Sequence, residues 1–370
     1  MYYTDDSLFP ENMQPTIITA APYGPEWLPG DVADLPRTWK EQVQSAVDCY
    51  NAGATMLHFH VRDPETGQGS SNFEQYCELL AQVRQAVPKM IIQVGGSISF
   101  APHTADAKAK WLDYDTRHML TELNPKPDCV TISTGTTLWD VTQAFIPGDV
   151  DGTHLSDPKV AAAWADMVVD STSKFYIEHL KRLSANKIQP YFVPGHVHQL
   201  EIIERLLRAG VYKGPLNLAL CGYGGGSMGR NPFDWMEMLR RTPHGASSVT
   251  FWSSMRGNIA IQTLATILGV HVRVGIEDNI WDMHKKRWPT VKQVEWAVKQ
   301  SEQFGREVAN ADEARKMMKL DVWYDTVEET LFNVGLPPNR PEGYKGFLRY
   351  ETDGRLPKVA EARTNPVSIL

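Results

Sequence analysis

The sequence predicts an α/β fold, a (β/α)8 TIM barrel with an extended C-terminal tail. Three features carry that expectation. Short β-rich runs recur eight times along the chain, and amphipathic helical segments lie between them. Most of the runs are apolar throughout, as parallel strands covered on both faces must be. A doubly wound sheet is the structural alternative, but its first strand should enter a GxGxxG turn. Here the first run leads into Ala21-Pro22-Tyr23-Gly24-Pro25 instead.

In chain order the runs are PTIITAAP (15–22), ATMLHFHVRD (54–63), KMIIQVGGS (89–97), DCVTIST (128–134), IQPYFVPGH (188–196), PLNLALCG (215–222), SSVTFWSS (247–254) and HVRVGIED (271–278). Their Val, Ile, Leu, Thr and aromatic cores suit a buried pleated surface. The segments RTWKEQVQSAVDCYNAG (37–53), NFEQYCELLAQVRQAV (72–87), HQLEIIERLLRAG (198–210) and NIAIQTLATILG (258–269) carry helical spacing, with Gly53, Gly210 and Gly269 where C-cap glycines belong. Stretches 98–127 and 135–187 are long for simple crossovers and predict insertions. Residues 1–310 read as one catalytic barrel domain. DEARKMMKLDVWYDTVEETLFNVG (312–335) and the Pro-, Gly- and charge-rich residues after it make 311–370 a helical extension and tail, packing on the barrel or on a neighbouring subunit.

Composition excludes several classes. With 42% hydrophobic residues and a net charge of −7, the 370-residue chain is neither disordered nor built with the basic face that nucleic acid requires. Cys49, Cys77, Cys129 and Cys221 form no CxxC pair and read as reduced thiols. The N-terminal MYYTDDSLFPENMQP lacks the basic and apolar regions of a signal peptide, and no apolar run nears the ~20 residues that span a bilayer. The expectation is a cytoplasmic protein with small-molecule partners and no membrane contact.

His58 and His60 lie two apart in the second run, so a strand sends both imidazoles to one side. That is half of a mononuclear metal site, or a pair of hydrogen-bonded core histidines. The eighth run places Arg273, Gly275 and Glu277 on one face and ends in adjacent carboxylates, Glu277 and Asp278. Strand eight is two strands from strand two in a closed barrel. Glu277 can thus complete a His2Glu set open to an oxygen-rich substrate, with Asp278 leaning toward the rim. His196 and His198 in PGHVH compete. With His58, His60 and Asp278 they keep open a metal-dependent hydrolase of the amidohydrolase type, although that pattern has its HxH on the first strand, which here contains no histidine.

ITAAPYGPE, NAGATMLHFHVRDPETGQ, IIQVGGS, TISTGT, GPLNLALCGYGGG and GVHVRVGIEDN, spread over residues 15–280, together resemble the β-keto acid cleavage enzymes, of the 3-keto-5-aminohexanoate cleavage type. The resemblance implies a TIM barrel, a homotetramer and one divalent metal ion, most often zinc. It also implies condensation of a β-keto acid with acetyl-CoA, giving acetoacetate and a new acyl-CoA by carbon–carbon cleavage and acyl transfer. By motif, His58, His60 and Glu277 become metal ligands, Asp278 the general base and Arg273 the group that steadies it. Glu26 becomes a contact to a substrate amine or a carboxylate beside the metal, and Ser97 and Thr134 become contacts to the substrate carboxylate and keto group. One departure stands out: where many members carry an acidic motif at the end of strand five, this chain reads PYFVPGHVH, which implies a neutral or anionic substrate side group.

Other segments admit a functional and a structural reading. CGYGGGSMGRNP (221–232) either wraps part of CoA with Arg230 or is a mobile loop, and it lacks the GK[ST] ending of a P-loop. Met255-Arg256-Gly257-Asn258 opens a helix where anions bind well. Lys285-Lys286-Arg287 is a CoA-phosphate contact or a solvated cluster, and Trp27, Trp139, Trp252 and Trp281 either line an acyl pocket or pack.

Overall fold

Parallel strands alternate with helices and close on themselves. In a computed structural model, which describes residues 3–341 apart from 97–98, 101–109, 147 and 166, the barrel strands are β1 (Ile18–Ala20), β2 (Met56–Phe59), β3 (Ile91–Val94), β4 (Cys129–Ile132), β5 (Gln189–Phe192), β6 (Asn217–Gly222), β7 (Ser248–Ser253) and β8 (His271–Val274). Their order around the barrel is β1-β8-β7-β6-β5-β4-β3-β2. Helices α1 (Trp39–Asn51), α2 (Phe73–Ala86), α3 (Tyr114–His118), α4 (Ser173–Ala185), α5 (Val197–Arg208), α6 (Pro232–Arg241), α7 (Met255–Ile267) and α8 (Thr290–Gln303) follow the strands in turn. Gly53, Gly210 and Gly269 have φ of 111°, 67° and 72°, as C-cap glycines require. Ser97 and the tail from 342 onward lie outside the described residues. Among the described residues no helix is long and apolar enough to cross a membrane.

Side-chain alternation decides what each strand residue does. Ile18, Leu57, Phe59, Ile92, Val130 and Phe192 point outward into the core shared with the helices. The residues between them fill the barrel. At the N-terminal end the filling is apolar, and Ile17, Met56, Ile91 and Cys129 meet Ala309, Ala314 and Met318. The last two belong to, or directly follow, α9 (Ala311–Met317). Asn217 Nδ2 donates to the Met318 carbonyl (3.1 Å), and Arg315 donates to Asp128 (2.6 Å). The described part of the C-terminal extension thus forms the barrel floor, while α10 (Val327–Val334) packs beside α5.

Two insertions stand at the opposite end. Ser99–Phe100 pairs with Lys110–Trp111, and Thr137–Trp139 pairs with Met167–Val169, both antiparallel. A second apolar cluster, including Tyr23, Trp27, Val141, Leu155, Trp164 and Ile276, ties these segments to the loops after β1 and β8.

The glycine run after β6 is a packing seam against the insertion after β4, and Gly224, Gly226 and Ser227 of it also line the same cavity as His58 and Arg273. Asp140 N–H donates to the Gly225 carbonyl (2.6 Å). A Cβ at Gly225 would lie 1.9 Å from the Asp140 carbonyl oxygen, and one at Gly226 would lie 1.6 Å from that of Leu138. Arg230 donates to the Ala144 carbonyl and to Ser254 Oγ, so it too holds the insertion to the barrel. The first N–H of α7 is likewise used, Met255 donating to the Asp278 carbonyl (2.7 Å).

Gly226→Ala is therefore expected to lower the thermal midpoint by several degrees, on the order of 5 °C. Gly229→Ala, at a position with nothing within 4 Å of a new Cβ, leaves it in place. Equal midpoints by differential scanning calorimetry would contradict the seam.

Candidate active site

At the C-terminal end of β2 the two predicted imidazoles meet. His58 is a β2 residue and His60 immediately follows the strand, and their Nε2 atoms lie 3.1 Å apart. Glu277 Oε1 approaches them at 3.3 and 3.8 Å. Among the described residues this is the one group of His, Cys, Asp or Glu side chains arranged to hold a metal ion, its ligand atoms all within 4.8 Å of one another. His58 Nδ1 sits 2.7 Å from Gln93 Oε1, an oxygen that can only accept. The Nδ1 proton is thereby fixed and the Nε2 lone pair left free for a cation. Burial, then the Arg273 charge, pushes His58 down to about 3, and burial does the same to His60. Both rings are neutral at physiological pH, the form that ligates.

Two glycines keep this space open. A Cβ at Gly95 would lie 2.1 Å from His60 Nε2, and one at Gly24 would lie 2.3 Å from Glu26 Oε2 and 2.4 Å from Glu277 Cγ. Glu277 Oε2 and Glu26 Oε2 are buried with no hydrogen-bond partner. The orphaned Glu277 oxygen beside two free imidazole nitrogens fits a divalent cation, because a buried oxygen acceptor without a donor is costly otherwise.

Arg273 assembles the acidic side of the site from within β8. It donates to Glu277 Oε1 (2.7 Å) and to Asp278 Oδ2 and Oδ1 (2.8 and 2.9 Å). Trp252 Nε1 adds a donor to Asp278 Oδ1 (2.5 Å), and its ring lies 4.3 Å from the guanidinium. Asp278 does not lean toward the rim: β8 ends at Val274, a turn closes from Asp278 N–H to the Gly275 carbonyl, and strand parity no longer applies. Burial raises the Asp278 carboxyl to about 6 against the opposing pull of Arg273. Burial and the Glu277 charge raise Glu26 to about 8.

The remaining predicted residues separate. Thr134 is fully buried with its Oγ1 unpartnered, and the neighbouring Thr131 and Ser133 are the residues that line the cavity. His196 lines the cavity but its Nε2 bonds the Gly226 carbonyl (2.6 Å), and neither it nor His198 joins the metal-capable group. Lys285, Lys286 and Arg287 are exposed. Trp139 and Trp252 line the cavity, whereas Trp27 packs below the rim with its Nε1 on the Ile276 carbonyl. Sequence reading missed Gln93 and Arg62. Gln93 was legible as the one amide in an apolar strand, and it stands in register with His58. Arg62, buried, donates to the carbonyls of Gly24 and Trp27 on either side of Glu26, a role no local pattern announces.

Comparison with known proteins gives a consistent result. The sequence model of the family described as beta-keto acid cleavage enzyme matches residues 15–320. The 3-dehydrocarnitine:acetyl-CoA trimethylamine transferase of Rhizobium meliloti is 25% identical over 298 residues, covering 77% of this chain and 90% of that one. The 3-keto-5-aminohexanoate cleavage enzyme of Acetoanaerobium sticklandii is 25% identical over 311 residues, covering 83% and 98%. Among solved structures, apo ObcA superposes with a TM-score of 0.57 at 15% identity, covering 78% of this chain and 66% of that chain. That likeness speaks to the fold alone.

Gln93→Leu removes the acceptor that fixes the His58 tautomer. Competition with a chelator should find zinc affinity lowered by about 10- to 100-fold, and an unchanged affinity would remove His58 from the ligand set.

Proposed function

The chain belongs to the β-keto acid cleavage enzymes, and on that premise we propose that it condenses a β-keto acid with acetyl-CoA, releasing acetoacetate and a new acyl-CoA. The observation that carries this reading is the buried meeting of His58, His60 and Glu277 beside a carboxylate, Asp278, held by Arg273. The names of relatives that pair acetyl-CoA with keto substrates support the co-substrate.

In this reading His58, His60 and Glu277 would hold one divalent metal ion, zinc by the family resemblance and not by the donor set, which also suits Fe, Co or Mn. When bound, the ion supplies Lewis-acid polarisation of the substrate's keto group. The chain's own residues do the rest. Asp278 takes the proton from the carbon between the keto and carboxylate groups. Arg273 and Trp252 hold that carboxylate in place and prevent its rotation out of the site. The substrate carbanion attacks the thioester carbonyl of acetyl-CoA, a carbon–carbon bond forms, and CoA thiolate leaves. The thiolate then attacks the original keto carbon, the older carbon–carbon bond breaks, and acetoacetate departs as an enolate that recovers the proton from Asp278. No covalent enzyme nucleophile is used. Glu26 offers a hydrogen-bonding contact to the substrate, and Ser97 is carried as a contact to its carboxylate or keto group. A homotetrameric assembly and a cytoplasmic location belong to the same proposal.

The first test is metal content of purified protein alongside acetoacetate formation. About one metal per chain and acetyl-CoA-dependent acetoacetate are expected. Glu277→Gln should lose the metal, whereas Asp278→Asn should keep it and lose at least about 100-fold in kcat. Turnover of keto acids without acetyl-CoA would sink the reading.

The pH profile gives a second test. Activity requires the Asp278 carboxylate, so kcat/KM should rise with pH through a limb at or below about 6. Trp252→Phe removes a donor that stabilises the ionised form, which raises the pKa. The limb should then move to higher pH by roughly half a unit to one unit, and movement to lower pH would show that Asp278 is not the base.

A further inference from the structure

The cavity lined by His58 and Arg273 is lined also by a second buried cation, Arg117 of α3. Arg117 is 2% exposed, and its guanidinium lies over the Phe175 ring at 3.6 Å and 5.4 Å from the Trp111 ring. One terminal nitrogen donates to the Asp170 carbonyl and the other to Ser171 Oγ (2.9 Å), while Nε–H is buried with no acceptor. The Asp170 carboxylate turns outward and accepts from the Tyr114 hydroxyl (2.8 Å). Among the described residues no carboxylate forms an ion pair with Arg117, Asp170 and Asp113 acting on it only through space, and no Asp or Glu is among the residues lining the cavity. Burial lowers its pKa to about 10, which leaves it charged at neutral pH.

A guanidinium in this position is poorly explained as a structural contact. A buried permanent charge is usually matched by an opposite charge, and stacking on a ring orients the planar fork without neutralising it. The cavity lining is largely apolar and aromatic, with Trp139, Val169, Val193 and Tyr223 among its residues. A cationic side group would be repelled by Arg117, whose carboxylate neighbours Asp170 and Asp113 act on it from outside the cavity lining. We propose that Arg117 reads an anionic terminus on the substrate's side group, so that the preferred substrate is a β-keto acid whose side group is an apolar spacer ending in a carboxylate. The proposal rests on the cleavage reading above and deepens it by naming the substrate class.

The test compares 3-oxoadipate and longer 3-oxo diacids with the 3-oxo monoacid of equal chain length, each with acetyl-CoA, in the full-length metal-loaded protein and in R117Q and R117K. Wild type should prefer the diacids, and R117Q should reduce the diacid-to-monoacid ratio of kcat/KM on the order of 10- to 100-fold, with R117K recovering part of it. A wild-type preference for monoacids overturns the proposal, as does a diacid preference that R117Q keeps. An equal loss on both classes, carried by a raised KM for acetyl-CoA, assigns Arg117 to the coenzyme's phosphates and also overturns it. Quenching of tryptophan fluorescence by adipate, which cannot react, reads the site without turnover. If no keto acid is cleaved, the cleavage reading fails, and the quench then decides this proposal alone: stronger quenching by adipate than by hexanoate in wild type upholds it, and equal quenching overturns it. The wild-type arms remain decisive should R117Q fail to fold.

Discussion

One guanidinium holds the chemistry of this barrel together. Arg273 sits in the interior with its charge shared between Glu277 and Asp278, and removing it would leave two adjacent carboxylates buried against each other, a loss of about 3–5 kcal/mol for such broken pairs. The backbone of Arg273 is itself fixed from outside the barrel. Gln262 of α7 accepts from its N–H (3.0 Å) and Asn258 donates to its carbonyl (3.2 Å). A helix on the outer layer therefore sets the position of a side chain on the inner one. The two acids also outnumber their one guanidinium, and the resulting excess negative charge suits a divalent cation facing an anionic substrate.

The strands and the insertions divide the work. β2, β3 and β8, with the residues that directly follow β2 and β8, supply the metal-capable group and the side chains that orient it, and all of these lie near the barrel's C-terminal end. The segments after β3 and β4 supply Trp111, Arg117, Trp139 and Val169, which shape the rest of the cavity. Rim loops are free to vary without disturbing the strand registers, so under the proposed function reaction type and substrate choice fall in different stretches of the chain.

Most of the inner layer was legible because a strand's period of two is strict. Once Met56 is placed inside, His58 and His60 follow, and the same count along β3 yields Gln93 and Gly95. What lies beyond a strand end was not legible. Asp278 follows a turn at Gly275, where φ is 151°, so counting parity through it placed the side chain wrongly. The glycine run after β6 has the composition of a ligand loop, and only the closeness of the Leu138 and Asp140 carbonyls explains why those residues lack side chains. Arg117 falls in a stretch without periodicity, where its stacking on Phe175 of α4 depends on two elements meeting that are distant in sequence.

The barrel floor also constrains the order in which the molecule can be made. β1 bonds to β8, and Thr16 exchanges backbone hydrogen bonds with Glu307 and Ala309. Met318 and Ala314 then cover Ile17, Met56, Ile91 and Cys129. The ribosome delivers the first strand long before it delivers any of these partners. The nascent chain must hold its early apolar side chains in water until nearly the whole barrel has emerged, the circumstance in which long-range topologies are most exposed to aggregation. A fragment ending at α8 would keep every residue of the candidate metal group and still lack its floor.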